Sequence, residues 1–382
     1  MLSKNRFSVT DMIYSKAAGM KIPISGTFEL SPICNFTCKM CYVRKTQREV
    51  DLHLRPMVTL EQWLRIAKEA SDAGMLFLLI TGGEPFLWPD FWKLYEELIK
   101  MGFLISINTN GSLIDDNAIE YLTKLPPKRL NITLYGASDE TYEELCGVKN
   151  VFHKVDEAII KLKQAGIPVK LNSSVTPSNV KDIEKIITYA REKDLILEMP
   201  SYMFPPIRRD ADRVGENHRF TPEDYAKYRL EIYRLQYGEE KYKEMLYSIR
   251  DKSVPPPVVE ESCRDPLDGR IRCRAGKTTF WITWDGYMAP CGMMTDPKID
   301  MYGKDFLSAW RELVEISGKV SLSGLCSTCP NMKICHACAA IALAETGTTE
   351  GIPIYFCKTM EVLQSIAKRE LENIKGKEKE RL

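Results

Sequence analysis

The chain has 382 residues, which is enough for one barrel-sized domain and a smaller second domain with a sizeable core. Its 53 Lys and Arg residues nearly balance its 52 Asp and Glu residues, so the formal net charge is +1. This balance gives no global electrostatic reason to expect nucleic acid or an anionic membrane as a partner.

No targeting or membrane signal accompanies the twelve cysteines of the chain. Residues 1–20 mix charged and apolar residues without the sustained apolar stretch of a signal peptide, and Leu76–Ile80 is far too short to span a bilayer. Clustered cysteines without a secretion signal favour metal binding over disulfides. We therefore expect a cytoplasmic, metal-rich protein.

Short apolar strands alternate with amphipathic helices from Ile24 to about Phe204. The predicted strands are Ile24–Leu30, Leu76–Ile80, Leu104–Asn108, Leu130–Tyr135, Val169–Val175 and Ile196–Met203. The predicted helices are Leu60–Ala73, Asp90–Met101, Asp115–Leu125, Val151–Ala165 and Asn179–Glu192, bounded by N-cap residues, glycines and prolines. This alternation predicts an α/β fold, a parallel sheet curled into a partial (β/α)6 TIM-like barrel. Ligands of such sheets bind at the carboxyl ends of the strands.

The rest of the chain divides at changes in composition. A long polar helix is predicted from Thr221 to about Ile249, and the stiff segment Val254–Val258 is the best domain boundary. The mixed-charge end from Lys375 to Leu382 is expected to fray. The predicted segments are a lead-in (1–21), the barrel (22–220), a helical connector with a proline-rich linker (221–259), a cysteine-rich domain (260–365) and a C-terminal tail (366–382).

Cys34, Cys38 and Cys41 form a C-x3-C-x2-C triplet directly after the first predicted strand. Three thiolates are an incomplete set for a tetrahedral ion or a cubane. A [4Fe–4S] cluster held by three cysteines keeps one iron free to bind another group. A zinc site, which usually takes four Cys or His ligands, and a reduced structural loop are the alternatives.

Two further blocks of sequence extend this motif. Thr81-Gly82-Gly83-Glu84-Pro85 follows the second predicted strand. The second block contains seven cysteines near the C-terminus, which suit two clusters or two structural zinc ions. They are Cys273, Cys291, Cys326, Cys329, Cys335, Cys338 and Cys357.

Together these motifs resemble the radical S-adenosylmethionine (SAM) enzymes, in the branch that carries a C-terminal SPASM extension. The resemblance covers about residues 22–365, and it implies the same partial barrel and a SAM molecule chelated to the free iron of the Cys34, Cys38 and Cys41 cluster. In that family the reduced cluster cleaves SAM to methionine and a 5′-deoxyadenosyl radical, which abstracts hydrogen from the substrate.

The resemblance also implies SAM contacts. Gly82 and Gly83 would let the backbone approach the methionine amine, with Glu84 beside them and Pro85 fixing the turn; an ordinary turn after a buried strand is the alternative. The segment Asn108-Thr109-Asn110-Gly111 and Thr133 fall at strand ends. Within these, Asn108, Asn110 and Thr133 are candidates for ribose or carboxylate contacts, or for turn capping.

One departure affects the SAM site. Many relatives have Arg-Gly where this chain has Cys146-Gly147, so the usual arginine cannot be carried over. Cys146 is expected to be a lone buried thiol.

For the auxiliary clusters, the resemblance implies a first set of Cys273, Cys291 and Cys338. It implies a second set of Cys326, Cys329, Cys335 and Cys357. The last pair is spaced C-x2-C where the family usually has C-x3-C. Cys263 is either the fourth ligand of the first set or that iron stays open, and His336 is expected to be a spectator.

Arginines and histidines outside the cysteine motifs carry weaker signals. Arg208, Arg209 and Arg213 follow the sixth strand and would either bind acidic residues of a substrate or form a solvated loop. His53, His153 and His218 form no metal-binding or catalytic spacing.

The expected function is reductive SAM cleavage followed by modification of a side chain in a ribosomally synthesised peptide, as a thioether, a carbon–carbon crosslink or an epimerisation. The catalytic acid or base stays unassigned. Sulfatase maturation is an alternative, although those relatives typically place an Asp where this chain has Gly292. Maturation of a cofactor precursor and a zinc-ribbon binding protein on an inactive barrel are the others.

The resemblance implies three partners. These are the peptide, an electron donor such as ferredoxin or flavodoxin, and a separate leader-binding protein. The 33 residues before Cys34 are too few for a winged-helix module, so leader binding would need this separate partner or the barrel surface itself.

Overall fold

The computed structural model describes residues 9–253, 271, 273–335 and 337–380. Within this part of the chain, nine strands form one sheet in the order β6-β5-β4-β3-β2-β1-β7-β8-β9. The strands are β1 (Ser25–Glu29), β2 (Phe77–Thr81), β3 (Leu104–Thr109), β4 (Arg129–Thr133), β5 (Val169–Asn172), β6 (Ile196–Glu198), β7 (Thr279–Ile282), β8 (Tyr287–Ala289) and β9 (Ile299–Asp300). Strands β1 to β6 are parallel, which confirms the predicted partial barrel.

The cysteine-rich region extends this sheet. Strand β7 pairs in parallel with β1, and β8 and β9 continue the sheet in antiparallel fashion. The first strand of the barrel is therefore an inner strand, with the C-terminal region hydrogen-bonded along its free edge.

Helices cover the sheet and connect its strands. They are α1 (Val9–Met20), α2 (Gln47–Asp51), α3 (Leu60–Asp72), α4 (Phe91–Lys100), α5 (Asp116–Lys124), α6 (Asp139–Cys146), α7 (Phe152–Gln164), α8 (Ile183–Glu192), α9 (Pro222–Arg250), α10 (Phe306–Ser317), α11 (Gly324–Ser327), α12 (Ala339–Thr346) and α13 (Ile354–Glu380). Short 3-10 turns occur at Pro85–Leu87 and Val180–Asp182.

Local sequence signals explain several helix ends. Thr59 caps α3 in a capping box with Gln62, and Thr221 caps α9 ahead of Pro222, as predicted. Gly102 follows α4 with a φ of 88°, a left-handed conformation that glycine adopts without a Cβ penalty. These signals lie within a few residues of one another in sequence, so they are readable before the fold is known.

The two faces of the barrel sheet differ in chemistry because side chains alternate along a strand. Phe28 on β1 packs against Trp63 of α3, with ring centroids 4.7 Å apart, so its face forms the hydrophobic core. Glu29, the next residue, lies on the opposite face. Asn108 and Asn131 pair across β3 and β4, where the Asn131 amide donates to the Asn108 oxygen at 2.8 Å. The inner face of the barrel therefore carries polar side chains.

Some elements differ from the sequence-based expectation. Helix α1 lies within the lead-in, residues 1–21, for which the sequence predicted no secondary structure. Strand β6 ends at Glu198 rather than Met203, since Pro200 has no N–H to donate to a ladder. Gly238, with a φ of 83°, kinks the long helix α9.

Two expectations concern the C-terminal part of the chain. Helix α13 continues to Glu380, so the segment from Lys375 to Glu380 is helical, and its fraying stays a prediction. The predicted Val254–Val258 linker lies outside the described residues. Among the residues that the structure describes, none of the helices is long and apolar enough to cross a membrane.

Candidate functional site

The cysteine loop, residues 30–46 between β1 and α2, lies at the carboxyl edge of the sheet, beside the turn after β2. Two backbone hydrogen bonds join them: the Gly83 N–H donates to the Ser31 carbonyl at 2.7 Å, and the Glu84 N–H donates to the Ile33 carbonyl at 2.9 Å. The residue that follows Ile33 is Cys34. The two motifs that the sequence separates by some forty residues are therefore physically paired at the edge where ligands bind in such sheets.

Glycine is required at the turn because the two backbones approach so closely. A Cβ at Gly83 would lie 2.3 Å from the Ile33 oxygen, and one at Gly82 would lie 2.5 Å from the Ser31 oxygen. The sequence interpretation gave these glycines a contact with the methionine amine. In the fold, the absence of side chains at Gly82 and Gly83 lets this turn pack directly against the backbone that leads into Cys34.

Glu84 is fully buried and joins the turn to the end of β3. One carboxylate oxygen accepts from the Thr109 hydroxyl at 2.8 Å and from the Phe86 N–H at 3.2 Å, and the other accepts from the Asn110 N–H at 2.8 Å. Burial raises the pKa of Glu84 to about 7, although these three donors favour the charged form. The carboxylate thus fixes two strand ends relative to each other.

Asn110 carries this network on to the cysteine loop. Its side-chain amide donates to the Asn35 oxygen at 2.9 Å and lies 3.8 Å from the Cys34 sulfur, while its own oxygen accepts from the Ser112 N–H at 2.9 Å. The sequence placed Asn110 in the strand-end segment Asn108–Gly111, with SAM contact or turn capping as its alternatives, and did not predict its contact with the cysteine loop. The Asn-Gly pair directly after a buried strand was the available signal, since it marks a turn at the functional edge.

The thiols of the triplet interact with one another electrostatically. Burial raises the pKa of Cys34 to about 12, and the charges of Cys38 and Cys41 add to that rise. Burial also raises the pKa of Cys41. Hydrogen bonds from the Cys146 thiol and from Tyr135 lower the pKa of Cys38.

This donor set fits the cluster that the sequence predicts. Cys34, Cys38 and Cys41 lie on one loop and can together ligate a cluster. Each thiol must lose its proton before it can bind iron. The sequence also allowed zinc. Among the described residues, no three His, Cys, Asp or Glu side chains converge on a site for a single metal ion.

Cys146 is buried, as expected, but it is not a lone thiol. It is the last residue of α6, and its carbonyl accepts from the Thr37 N–H at 2.8 Å and from the Thr37 hydroxyl at 3.1 Å. Gly147 then ends the helix with a φ of 66°. The Cys146-Gly147 pair, which replaces the arginine of relatives, therefore packs against the cysteine loop.

The C-terminal cysteines fall into two groups. Burial raises the pKa of Cys291 to about 12, and the nearby charges of Cys338 and Cys273 contribute. These three are the cysteines that the resemblance implies for the first auxiliary set. Cys263 lies outside the described residues.

The second group surrounds a cavity of about 240 Å³. Its lining includes Cys326, Cys329, Cys335 and Cys357, and Cys338 also borders it. Burial raises the pKa of Cys335, and the charges of the other three cysteines add to this. A largely apolar cavity lined by these cysteines has the chemistry that an iron–sulfur cluster needs. His336, next to Cys335, lies outside the described residues.

Asn108 and Thr133 occupy strand positions rather than turns. Asn108 lies within β3 and accepts from Asn131, and Thr133 is the last residue of β4. The strand register places both on the polar inner face of the barrel. The Asn108 side chain thus pairs across the sheet rather than capping a turn, whereas turn capping by Thr133 stays an alternative. Their contact with SAM remains a prediction.

Arg208 does not lie free at the barrel mouth. Its guanidinium forms a buried bidentate pair with Glu29 at 2.6 and 2.9 Å and donates to the Gly292 carbonyl at 2.8 Å. The expectation that Arg208 binds acidic residues of a substrate is thus wrong, because its donors are used inside the protein. Arg213 lies 3.8 Å from Glu216 in a weak exposed pair. The sequence analysis did not single out Glu29. A charged residue at the end of a buried strand was the signal that could have identified it.

Residues 28–190 match the family model described as "Radical SAM superfamily". The chain is 24% identical over 337 residues to the AdoMet-dependent heme synthase of Methanosarcina barkeri (strain Fusaro / DSM 804), covering 84% of this chain and 92% of that protein. It is 23% identical over 270 residues to the sporulation killing factor maturation protein SkfB of Bacillus subtilis (strain 168), covering 71% of this chain and 60% of that protein.

Two solved structures share the fold over most of the chain. Streptococcus suis SuiB bound to precursor peptide SuiA aligns with a TM-score of 0.63 at 18% identity, covering 94% of this chain and 84% of that chain. Native anSMEcpe with bound AdoMet aligns with a TM-score of 0.67 at 18% identity, covering 92% of this chain and 99% of that chain. The resemblance to radical SAM enzymes with a cysteine-rich extension is confirmed, and the family implies a [4Fe–4S] cluster and SAM as cofactors. The chain therefore contains a radical SAM domain at residues 28–190 and is an enzyme.

Proposed function

We propose that this enzyme cleaves SAM reductively at the cysteine loop and uses the resulting radical to modify a side chain of a ribosomally synthesised peptide. The observation that carries the proposal is the pairing of the cysteine loop with the Gly82–Pro85 turn, fixed by the buried Glu84. Cys34, Cys38 and Cys41 would hold the cluster. A [4Fe–4S] cluster bound there supplies the electron that breaks the sulfonium bond of SAM to give methionine and a 5′-deoxyadenosyl radical.

The chain's own residues orient and enclose the reactants. The turn after β2 would hold SAM at the carboxyl edge of the sheet, with Asn108 and Thr133 on the inner face as further contacts. The polar inner face suits a ligand with hydrogen-bonding groups, because unpaired polar atoms are costly to bury. The radical would react inside the barrel, because such an intermediate needs a site from which water and competing hydrogen donors are excluded.

Two auxiliary [4Fe–4S] clusters complete the proposal. Cys273, Cys291 and Cys338 would hold the first, with Cys263 as fourth ligand or with one iron open. The second would occupy the cavity among Cys326, Cys329, Cys335 and Cys357. The electrostatic interactions between thiols support this division. Cys291 interacts with the other two cysteines of the first set, and Cys335 interacts with the other three of the second set.

A peptide substrate is supported by the solved relative that binds a precursor peptide and by the curated relative that is a maturation protein. The bond formed would be a thioether, a carbon–carbon crosslink or an inverted stereocentre. We further propose an electron donor such as ferredoxin or flavodoxin and a separate leader-binding protein. A cytoplasmic location suits these cofactors, because reducing compartments keep thiols available for metal.

The test is anaerobic reconstitution with iron and sulfide, followed by incubation with SAM and dithionite. We expect 5′-deoxyadenosine to form, and to be abolished when Cys34, Cys38 and Cys41 are changed to Ala. A peptide encoded beside this gene is then added, and a defined mass change in it is the expected product. Turnover that survives the triple substitution would refute the proposal.

Maturation of a cofactor precursor is the second candidate. The observation that favours it is the coverage of the heme synthase relative, which this chain matches over 92% of its length. The assay above separates the two: a porphyrin precursor of heme replaces the peptide, and the mass change appears in one substrate or the other. A product from the porphyrin alone would favour this second candidate.

Sulfatase maturation is disfavoured by a specific contact. A Cβ at Gly292 would lie 2.6 Å from the Trp281 ring, so this turn has no room for the Asp that such relatives typically carry. A zinc-ribbon protein on an inactive barrel is tested by metal analysis. About twelve irons per chain with labile sulfide support three cubanes, whereas zinc without sulfide would favour the binding protein.

A further inference from the structure

The strongest unexplained feature near the cysteines is a buried ion pair between Glu29 and Arg208. The guanidinium meets the carboxylate in a bidentate fork at 2.6 and 2.9 Å, and the two side chains are 1% and 10% exposed. A planar guanidinium held at two points has its orientation fixed as well as its position. Removing one partner of such a pair strands a buried charge, which is strongly destabilising.

The pair connects the barrel to the cysteine-rich region. Glu29 ends β1, and its carboxylate also accepts from the Trp281 indole N–H at 2.9 Å on β7. Arg208 follows β6 and donates to the Gly292 carbonyl at 2.8 Å. Gly292 follows Cys291 within the Cys291 turn, residues 291–294, which a backbone hydrogen bond from Met294 to Cys291 closes at 3.1 Å.

The other side of the guanidinium faces the cysteine loop. The Arg208 carbon lies 5.8 Å from the centre of the Tyr42 ring, and Tyr42 follows Cys41 directly. Arg208 thus contacts the residue after Cys41 on one side and, through the Gly292 carbonyl, the residue after Cys291 on the other. Arg208 therefore stands between a cysteine of the radical SAM loop and a cysteine of the first auxiliary set.

We propose that Arg208 is a positioning residue that fixes the Cys291 turn beside the cysteine loop and whose charge raises the reduction potential of the cluster at Cys291. Glu29 opposes this effect with its negative charge and limits its size. The physical reason is that reduction adds negative charge to a cluster, which a nearby cation stabilises and a nearby anion destabilises. The inference rests on the proposed clusters.

The experiment compares Arg208→Gln, Glu29→Gln and the double variant, each reconstituted anaerobically as the full chain. All three are made in a background with Cys34, Cys38 and Cys41 changed to Ala, so that the auxiliary clusters alone contribute. The paramagnetic signal lost on Cys291→Ala identifies the first auxiliary cluster, and its midpoint potential is measured by redox titration. Arg219→Gln is the matched control, because Arg219 also forms a buried pair, with Glu345, and packs on Tyr355 at 4.1 Å.

We expect Arg208→Gln to shift the midpoint to a more negative value and Glu29→Gln to shift it to a more positive one. The double variant should return close to the parent value, and Arg219→Gln should leave it unchanged. A role confined to packing would move both single variants in the same direction or in neither, and would overturn the inference. Arg208→Lys keeps the charge and should move the potential less than Arg208→Gln.

Iron and labile sulfide are measured in every sample. A parent protein without clusters would refute the proposed function. Clusters with unshifted potentials would refute this inference alone.

Discussion

Gly83 and Ile33 are in backbone contact so close that a Cβ on Gly83 would lie 2.3 Å from the Ile33 carbonyl oxygen. Real Cβ atoms do not approach an oxygen this closely. The contact therefore requires glycine at position 83 and fixes the position of the cysteine loop against the turn after β2. The same contact aligns the hydrogen bond from the Glu84 N–H to Ile33 at 2.9 Å. A side chain at position 83 must therefore displace the backbone that leads into Cys34.

The first prediction is that Gly83→Ala disrupts the radical SAM cluster. We expect the reconstituted variant to lose roughly four irons, the content of one cubane, and to form no 5′-deoxyadenosine. Overpacking of this kind should also lower the free energy of unfolding by about 1–3 kcal/mol. Iron analysis and chemical denaturation measure the two effects.

Gly19→Ala is the matched control. Gly19 lies in α1, and a Cβ there meets no atom within 4 Å. Ala is favoured over Gly in a helix by about 1 kcal/mol, so this variant should keep its iron and unfold no more easily than the parent. Full iron content in Gly83→Ala would contradict the inference that this turn positions the cysteine loop for cluster binding.

The second prediction concerns the pH dependence of stability. Burial raises the pKa of Glu84 from 4.5 to about 7, so the folded chain keeps a proton that the unfolded chain releases between those values. The free energy of unfolding contributed by Glu84 is therefore fully present below pH 4.5 and falls as the pH rises to about 7. Glu84→Gln removes this dependence. The stability gap between the parent and Glu84→Gln should narrow from pH 5 to pH 8 in cluster-free protein.

Glu49 provides a control of opposite sign. Hydrogen bonds from Thr46 lower the pKa of its exposed carboxyl, so its contribution grows as the pH rises past the folded value. Gln can replace Glu in a capping box, so Glu49→Gln should fold normally. A gap between the parent and Glu84→Gln that stayed constant from pH 5 to pH 8 would show that Glu84 is ionised throughout that range.

The third prediction separates the cysteine sets. Changing Cys291 to Ala should remove about four irons, and changing Cys335 to Ala should remove a different four, because each residue belongs to a different auxiliary cluster. Cys146→Ala should remove none, since this thiol donates a hydrogen bond to Cys38 and is not predicted to bind iron. Iron and sulfide analysis with Mössbauer spectra measures all three. Equal losses in Cys291→Ala and the double variant with Cys335→Ala would mean that one cluster uses both.

The fourth prediction concerns the closed turn at Gly292. A Cβ at this position would lie 2.6 to 2.7 Å from three atoms of the Trp281 ring. Gly292→Ala should lower the free energy of unfolding by about 1–3 kcal/mol, measured by anaerobic chemical denaturation. Gly318→Ala, where the nearest neighbours lie at 3.4 Å, should change it far less. If both substitutions have the same small effect, the steric argument against an Asp at this turn does not stand.

Local patterns were enough to predict the class of enzyme and most elements. Thr59 and Thr221 cap helices because the hydrogen bonds of a cap form within three residues of sequence. The triplet Cys34, Cys38 and Cys41 lies on one short loop, so its spacing carries its chemistry. The parallel barrel follows from buried strands alternating with amphipathic helices.

Only the tertiary structure decided how distant residues meet. Glu29 and Arg208 are 179 positions apart, and nothing in either neighbourhood indicates that they form a buried pair. Asn110 reaches the Cys34 sulfur, and Cys146 reaches Cys38, because three strand ends and one helix end converge on a single edge of the sheet. Spacing along the chain determines which ligands a loop can offer, whereas packing between elements determines which charges and thiols surround them.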